Sequence, residues 1–279
     1  MSELCRPGRR GGRLMWNYRR MAGGAAQPWL LRSVPVCSST EVLLNRWLKG
    51  PVEFDQACAV VAAHQRWGTG QWGRRWSSPR GGVWLSAALP WQGEGSGRAG
   101  LLGLAVAVAF AERLERHGLP VRIKWPNDLV LYGRKLAGLL PSVVQRGSRV
   151  RLLRIGFGLN ICNPVPVEGI ALDQLERVGS LDPAHWTAEV LLALDRCHRI
   201  GGDGSWCLPA LKRLLWAKQI RHPRDGRIWM ISGVASDGAL QLHHGPEPRS
   251  GVAGLHERFC SIHFRGCCPC QFECCTGFR

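Results

Sequence analysis

Four short segments of the chain carry polar, charged or glycine residues at spacings that suit a reactive site. The first, "KWPND" at 124–128, places a cation, an aromatic ring, a rigid turn, an amide and a carboxylate within five residues. Pro126 fixes one backbone dihedral and biases the residue before it towards an extended conformation. Asn127 and Asp128 are then predicted to project from a turn at a strand end, where active-site residues often lie. An ordinary Pro-Asn-Asp turn would have the same sequence and stays an open alternative.

The second and third segments are apolar strands interrupted by residue types that a strand rarely needs. Lys135 enters "GRKLAGLL" at 133–140, where its ammonium must pair with an anion, such as a carboxylate or a phosphate, or reach water by snorkelling. "GFGLN" at 156–160 places two glycines in a strand, which indicates close approach by another group such as a ligand. Asn160 at its end can donate to and accept from a polar ligand. A bulge followed by a turn residue is the alternative.

The fourth segment, "QRWGTGQWGRRWSSPRGG" at 65–82, combines arginine, tryptophan and glycine. Its four arginines and three tryptophans are typical of a nucleic-acid contact. Gly68, Gly70 and Gly73 have a spacing close to that of a dinucleotide-binding loop, whose backbone N–H groups bind phosphate. Glycines also let a loop fold over a ligand. The residues alone leave these three interpretations open.

Hydrophobic periodicity and turn residues predict the elements that position these segments. Helices are predicted at 38–50, capped by Ser39 or Thr40, and at 100–117, 182–201 and 208–217. Strands are predicted at 57–65 and 82–90, on both sides of Pro126, as a pair joined near 147–148, and as a hairpin around 236–238. This mixture indicates an α+β fold with a mixed or antiparallel sheet flanked by helices, followed by a small C-terminal β module.

The 279 residues carry a formal charge of +17, which fits a polyanionic partner or an arginine-rich solvated surface. Arginines dominate residues 1–33, which lack the apolar core of a secretory signal. We predict a disordered basic extension there, with a misplaced start codon or an organelle transit peptide as alternatives. The longest apolar run, 101–111, is shorter than the about 20 residues that span a bilayer. We therefore expect a cytoplasmic protein without membrane contact.

The order of the segments resembles that in the biotin protein ligases. "STE" at 39–41, the glycine-rich loop, "KWPNDLVLYGRKLAG" and "IGFGLNI" follow one another at that family's spacings over residues 34–162, and the similarity continues weakly to about residue 245. The resemblance implies a class II synthetase-like catalytic domain at 34–210 and a small SH3-like module at 211–279. About 33 residues precede the match and lack a helix-turn-helix pattern. We therefore expect neither a DNA-binding winged helix nor specific DNA binding.

Members of that family make biotinoyl-5′-adenylate from biotin and MgATP and then pass biotin to one lysine of a carrier protein. The resemblance therefore implies a biotin–[acetyl-CoA-carboxylase] ligase. Its cofactors would be ATP and Mg²⁺, its substrate biotin, and its partner the biotin carboxyl carrier protein. Lipoyl and octanoyl transferases share the fold but do not use the Lys-Trp-Pro-Asn-Asp turn. A basic nucleic-acid-binding protein is the alternative from another class.

The resemblance also implies a role for each matching residue. Lys135 would lie where the biotin carboxylate meets the α-phosphate, Lys124 would add to that positive field, and Asp128 would orient or deprotonate the acceptor lysine. The implied biotin site comprises Lys135, Ser39, Thr40, Glu41, Gln65, Gly68, Thr69, Gly70 and Gln71. The implied nucleotide site comprises Arg74, Trp76, Asn127 and Asn160. Gly82 and Trp84 are expected beside the pocket, and no residue is predicted to bind a metal ion.

The chain departs from the family pattern in two places. Thr69 and Gln71 stand where the family has arginines, which would weaken retention of the adenylate unless Arg66, Arg74 and Arg75 compensate. From about residue 249 an atypical end replaces the expected final strands. Its cysteines are Cys260, Cys267, Cys268, Cys270, Cys274 and Cys275. Because no paired CxxC pattern is present, we favour a shifted reading frame near 245–250 over a metal-binding tail.

Overall fold

The structure is a computed structural model and describes residues 10–49, 55–94, 99–147, 149–222, 226–244 and 255–259. Its central sheet has seven strands: β1 (Leu30–Val34), β2 (Cys58–Ala62), β3 (Val83–Glu94), β4 (Arg122–Lys124), β5 (Asp128–Leu131), β6 (Arg134–Arg146) and β7 (Arg149–Leu159). Their order is β1-β2-β3-β7-β6-β5-β4. The β1–β2 pair is parallel and the other neighbouring pairs are antiparallel. The predicted mixed sheet is confirmed.

Five α-helices are described: α1 (Arg10–Ala22), α2 (Thr40–Leu48), α3 (Ala99–Arg116), α4 (Pro183–Ile200) and α5 (Leu208–Leu214). Ser39 caps α2 as predicted, because its hydroxyl accepts a hydrogen bond from Glu41 N at 3.2 Å. Asp182 caps α4 and Gly201 ends it with a φ of +63°, a conformation that favours glycine. The first half of α3 is apolar on every side because it packs against both β6 and α4.

Side chains along the central strands alternate between two faces of the sheet. On β7, Ile155 and Phe157 belong to the main core that α3 and α4 cover. Gly156 and Gly158 point to the opposite face, where a Cβ atom would meet Leu140 and Trp76 respectively. That second face carries only the short helix α2 in its own small cluster around Leu44, among the described residues. An open area is therefore left on this face beside α2.

The prediction of disorder for residues 1–33 is wrong for residues 10–33, which form α1 and β1. Leu14 and Tyr18 of α1 are buried against the core, one helical turn apart, while Arg13, Arg19 and Arg20 are exposed. Tyr18 Oη donates to Asp195 Oδ2 at 2.5 Å, and Trp29 Nε1 donates to Asp195 Oδ1 at 2.9 Å. The prediction of disorder followed the many arginines of this segment and overlooked the apolar side of α1. The division of the chain into domains stays a prediction.

A second antiparallel sheet follows α5, with the order β11-β10-β9-β8. Its strands are β8 (Gln219–Arg221), β9 (Ile228–Val234), β10 (Leu240–His244) and β11 (Leu255–Phe259). The turn between β9 and β10 holds Asp237 and Gly238, so the predicted hairpin and the predicted C-terminal β module are confirmed. The cysteine-rich residues 260–279 lie outside the described residues. Among the described helices, none is long and apolar enough to cross a bilayer.

Candidate active site

A cavity of about 190 Å³ lies on the sheet face that α2 and the glycine-rich loop flank. Most of the residues predicted for the biotin and nucleotide sites meet in it. These lining residues are Ser39, Thr40, Glu41, Gln65, Thr69, Gly70, Gln71, Arg74, Trp76, Asn127, Asp128 and Lys135. They come from four separate parts of the sequence, and the sheet order brings them together.

Lys135 and Asp128 form an ion pair at one end of this cavity. Lys135 Nζ lies 2.7 Å from Asp128 Oδ1 and 4.8 Å from the centre of the Trp76 ring. The two residues sit on the adjacent strands β6 and β5 beside a register shift between Leu129 and Val130. Both side chains are partly exposed. The ammonium can therefore exchange its carboxylate partner for an incoming anion without crossing a dry core.

Gln65 is the centre of a buried hydrogen-bond network at the other end of the cavity. Its Oε1 accepts from Thr40 N at 2.7 Å and from Thr40 Oγ1 at 3.0 Å, and its Nε2 donates to Ser78 Oγ at 2.8 Å. Thr40 Oγ1 and Ser86 Oγ are 2.8 Å apart. The network ties the start of α2, the base of the loop and β3 into one polar wall. Such a wall in an apolar slot can fix the orientation of a small ligand.

Glu41 lines the cavity and forms an ion pair with Arg154 of β7. The pair joins the first turn of α2 to the sheet, and its Glu41 Oε2 has no hydrogen-bond partner among the described residues. Arg154 was not predicted as a site residue, because its partner is distant in sequence and only the sheet order places it there.

Trp76 is the group that approaches the glycine-containing strand. A Cβ atom on Gly158 would lie 2.6 Å from the indole ring, and one on Gly138 would lie 3.0 Å from it. The close approach predicted from "GFGLN" is therefore real, but the approaching group is a side chain of the loop. Trp76 N also donates to Gly68 O at 2.8 Å, so the indole and its own backbone both anchor the loop on the sheet.

The loop itself is a tight turn rather than an extended surface. Gly70 N donates to Arg74 O at 2.8 Å across the turn, where Trp72 and Gly73 both have positive φ angles. Trp67 is 65% exposed and lies under Arg75, outside the cavity lining. Trp76 is turned inward, so the three tryptophans do not form one stacking face for nucleic acid.

Three predicted residues do not line the cavity. Lys124 Nζ lies 5.2 Å from the Trp216 ring centre. A Cβ atom on Gly68 would be 2.6 Å from Ser78 Oγ, so that glycine permits close packing inside the loop. Asn160 lies behind the cavity, where its Nδ2 donates to Lys135 O at 3.4 Å. Asn160 therefore contacts Lys135 through the backbone carbonyl of that lysine.

Gly82 and Trp84, which were expected beside the pocket, do not line this cavity. The buried Trp84 ring packs edge-on against Trp76 at 6.5 Å, and its Nε1 donates to Pro79 O at 2.7 Å. The lining also contains residues that were not predicted, namely Leu85, Ser86, Gly138, Leu139, Leu140 and Phe157. Arg75, Gly156 and Gly158 line it as well, although the sequence assigned them to neither predicted site. Gly156 and Gly158 carried a signal, since glycines within a strand indicate a close approach.

Residues 34–160 match the model of the Biotin/lipoate A/B protein ligase family. The bifunctional ligase/repressor BirA of Escherichia coli is 37% identical over 131 residues, which cover 46% of this chain and 39% of that protein. The biotin–[acetyl-CoA-carboxylase] ligase of Paracoccus denitrificans is 32% identical over 152 residues, which cover 47% of this chain and 63% of that protein. The first curated relatives are thus matched over less than half of their length, between 39% and 45%.

Solved structures share the fold at low sequence identity. The biotin protein ligase of Aquifex aeolicus in complex with biotin and ATP superposes with a TM-score of 0.60 at 17% identity, over 82% of this chain and 95% of that one. The likeness shows the architecture, and it agrees with the predicted catalytic fold and the small C-terminal sheet.

Proposed function

We propose that this chain is a biotin–protein ligase, because residues 34–160 match the model of the Biotin/lipoate A/B protein ligase family. It activates biotin with ATP to biotinoyl-5′-AMP and transfers biotin to a lysine of the biotin carboxyl carrier protein of acetyl-CoA carboxylase. The observation that carries the proposal is one cavity with a polar wall around Gln65 at one end and the Lys135–Asp128 pair at the other. A cytoplasmic location would place the enzyme with both substrates.

In the first step a carboxylate oxygen of biotin attacks the α-phosphorus of ATP, and the bond to pyrophosphate breaks. Two anions meet, so the site must supply positive charge that is already in position. Lys135 supplies it in the proposal, leaving its Asp128 partner for the reacting oxygens. Arg74 adds charge at the exposed mouth, and Lys124 contributes only a distant field from outside the lining.

Mg²⁺ would enter this site bound to the phosphates of ATP, and it would neutralise part of their charge. The carboxylates of the lining, Glu41 and Asp128, are both paired with cations here. The donor set therefore agrees with nucleotide-borne Mg²⁺ better than with a protein-built cage.

In the second step the acceptor lysine amine attacks the acyl carbon of the adenylate. The new C–N bond forms, the C–O bond to AMP breaks, and the amine loses a proton. Asp128, which lines the cavity, would orient that amine or accept its proton. Biotin would lie along the opposite wall, where Thr40, Gln65 and Ser86 offer hydrogen bonds to its ureido ring.

The test measures biotin- and ATP-dependent pyrophosphate release, followed by transfer of radiolabelled biotin to a carrier protein. We expect Lys135→Ala to abolish adenylate formation and Gln71→Arg to leave it intact. Lys212→Ala is the matched control, since it removes an exposed lysine of α5 that is outside the cavity. A fully active Lys135→Ala variant would refute the role of that residue.

Two further arms separate the alternatives. Octanoate or lipoate in place of biotin tests a lipoyl-type activity, because the family model that matches covers lipoate ligases too. Binding to DNA or RNA at rising salt tests the nucleic-acid interpretation, which predicts a steep loss of affinity. Labelling with lipoate but not with biotin would overturn the proposed substrate.

A further inference from the structure

A cluster of two histidines and a glutamate lies on the helical side of the sheet, away from the ligase cavity. His117 directly follows α3, while His185 and Glu189 lie one turn apart on α4. One ligand atom from each side chain lies within 4.8 Å of the others. The proposed ligase mechanism uses none of the three residues.

Glu189 is the fixed member of this cluster. It is 2% exposed, and Arg113 pairs with its Oε2. Its other oxygen, Oε1, faces the two imidazoles, at 2.8 Å from His117 Nε2 and 4.0 Å from His185 Nε2. Arg113 thus holds one oxygen of the carboxylate, and the other oxygen faces both imidazole rings.

Packing also fixes the orientation of the two imidazoles. Both rings pack against Trp186, with centre-to-centre distances of 5.0 Å for His117 and 5.4 Å for His185. Burial lowers the pKa of His185, and the nearby His117 and Arg20 act in the same direction while Glu189 and Asp182 oppose it.

We propose that His117, His185 and Glu189 form a binding site for a borderline divalent transition-metal ion such as Zn²⁺ or Ni²⁺. Imidazole nitrogens suit these ions, and two histidines with one carboxylate leave a fourth position for water. Zn–N bonds of 2.0–2.1 Å in a tetrahedron separate neighbouring ligand atoms by about 3.3 Å. The observed 2.8 Å between Glu189 and His117 and 4.0 Å between Glu189 and His185 bracket that value. The two imidazole nitrogens lie within 4.8 Å of each other and would move closer together around the ion.

The ion would join the C-terminal end of α3 to the first turns of α4. Arg113 would then be the group that orients the liganding carboxylate from behind, as outer partners do in metal sites. The site departs from the prediction that no residue binds a metal ion. The sequence did not reveal it, because His117 follows α3 and is distant in sequence from the His185–Glu189 pair on α4.

The experiment uses the full chain without a histidine tag, titrated with Ni²⁺ by isothermal calorimetry. Ni²⁺ is preferred over Zn²⁺ because the cysteines of the chain are soft ligands that would compete for zinc. His185→Gln should weaken binding by more than the roughly 10- to 100-fold that loss of an outer partner costs. His198→Gln is the matched control, since His198 lies on the same helix and packs on Trp91.

His117→Gln provides a second ligand variant, and circular dichroism checks the folding of each. Ni²⁺ should raise the Tm of the native chain and of His198→Gln but not of the two ligand variants. Co²⁺ bound to the native chain should show d–d absorption without thiolate charge transfer, a result that requires no variant. Equal Ni²⁺ affinity in the native chain and in His185→Gln, or no saturable binding by the native chain, would overturn the proposal.

Discussion

Replacing Gly158 with alanine should destabilise the protein by pressing on Trp76. The added Cβ would lie 2.6 Å from the indole ring, well inside van der Waals contact. The strand cannot retreat, because β7 is paired on both sides, with Trp84 of β3 and Gly138 of β6 opposite Gly158. The Trp76 ring also packs closely on Gly138 of β6, where a Cβ atom would lie only 3.0 Å from it, so the ring has little room to move. Overpacking of this kind costs about 1–3 kcal/mol.

The assay is urea denaturation of the native chain, Gly158→Ala, Trp76→Ala and the double variant. In the Trp76→Ala background the added methyl group has free space, so its cost should vanish. The two substitutions should therefore couple by about 1–3 kcal/mol, within the range found for residues in contact. Gly179→Ala is the matched control, because nothing lies within 4 Å of its Cβ position. Equal destabilisation by Gly158→Ala in both backgrounds would refute the assigned contact.

Two further changes test the networks that hold the site and the N-terminal segment. Gln65→Leu removes three buried side-chain hydrogen bonds of about 1 kcal/mol each, so urea unfolding should show a loss of about 3 kcal/mol, with a raised KM for biotin. Asp195→Asn turns an amide donor towards Tyr18 Oη or Trp29 Nε1, so it should cost about 1–3 kcal/mol. Limited proteolysis should then cut residues 10–33 earlier in this variant, and unchanged cleavage there would contradict the network.

The sequence predicted the site where its residues fall in short, ordered segments. Asp128 and Lys135 are seven positions apart on neighbouring strands, and the hairpin between these strands brings Lys135 Nζ to 2.7 Å from Asp128 Oδ1. Their pairing follows from local structure alone. Arg154 could not be found in the same way, because its contact with Glu41 depends on β7 lying in the middle of the sheet.

Long-range packing also explains why Lys124 lies outside the cavity lining and why residues 10–33 contain α1 and β1. Lys124 was predicted to be catalytic, but its ammonium lies near Trp216, a residue that the motif gives no means of anticipating. The basic composition of residues 1–33 suggested a solvated chain, whereas Leu14 and Tyr18 at helical spacing bury one side of α1. Net charge describes the exposed face of a helix, and burial depends on the periodicity of the other face.

Thr69 and Gln71, which stand where the family pattern has arginines, change the charge of the loop more than its shape. The Trp76–Gly68 backbone hydrogen bond and the close packing of the Trp76 indole set the path of the chain. The side chains of Thr69 and Gln71 line the cavity without taking part in either constraint. An arginine at position 71 would therefore add a cation to a loop whose path is already set. In the proposed mechanism Lys135 would still supply the charge at the reacting atoms. Such a cation would lengthen the time for which the adenylate stays bound and leave the rate of its formation unchanged.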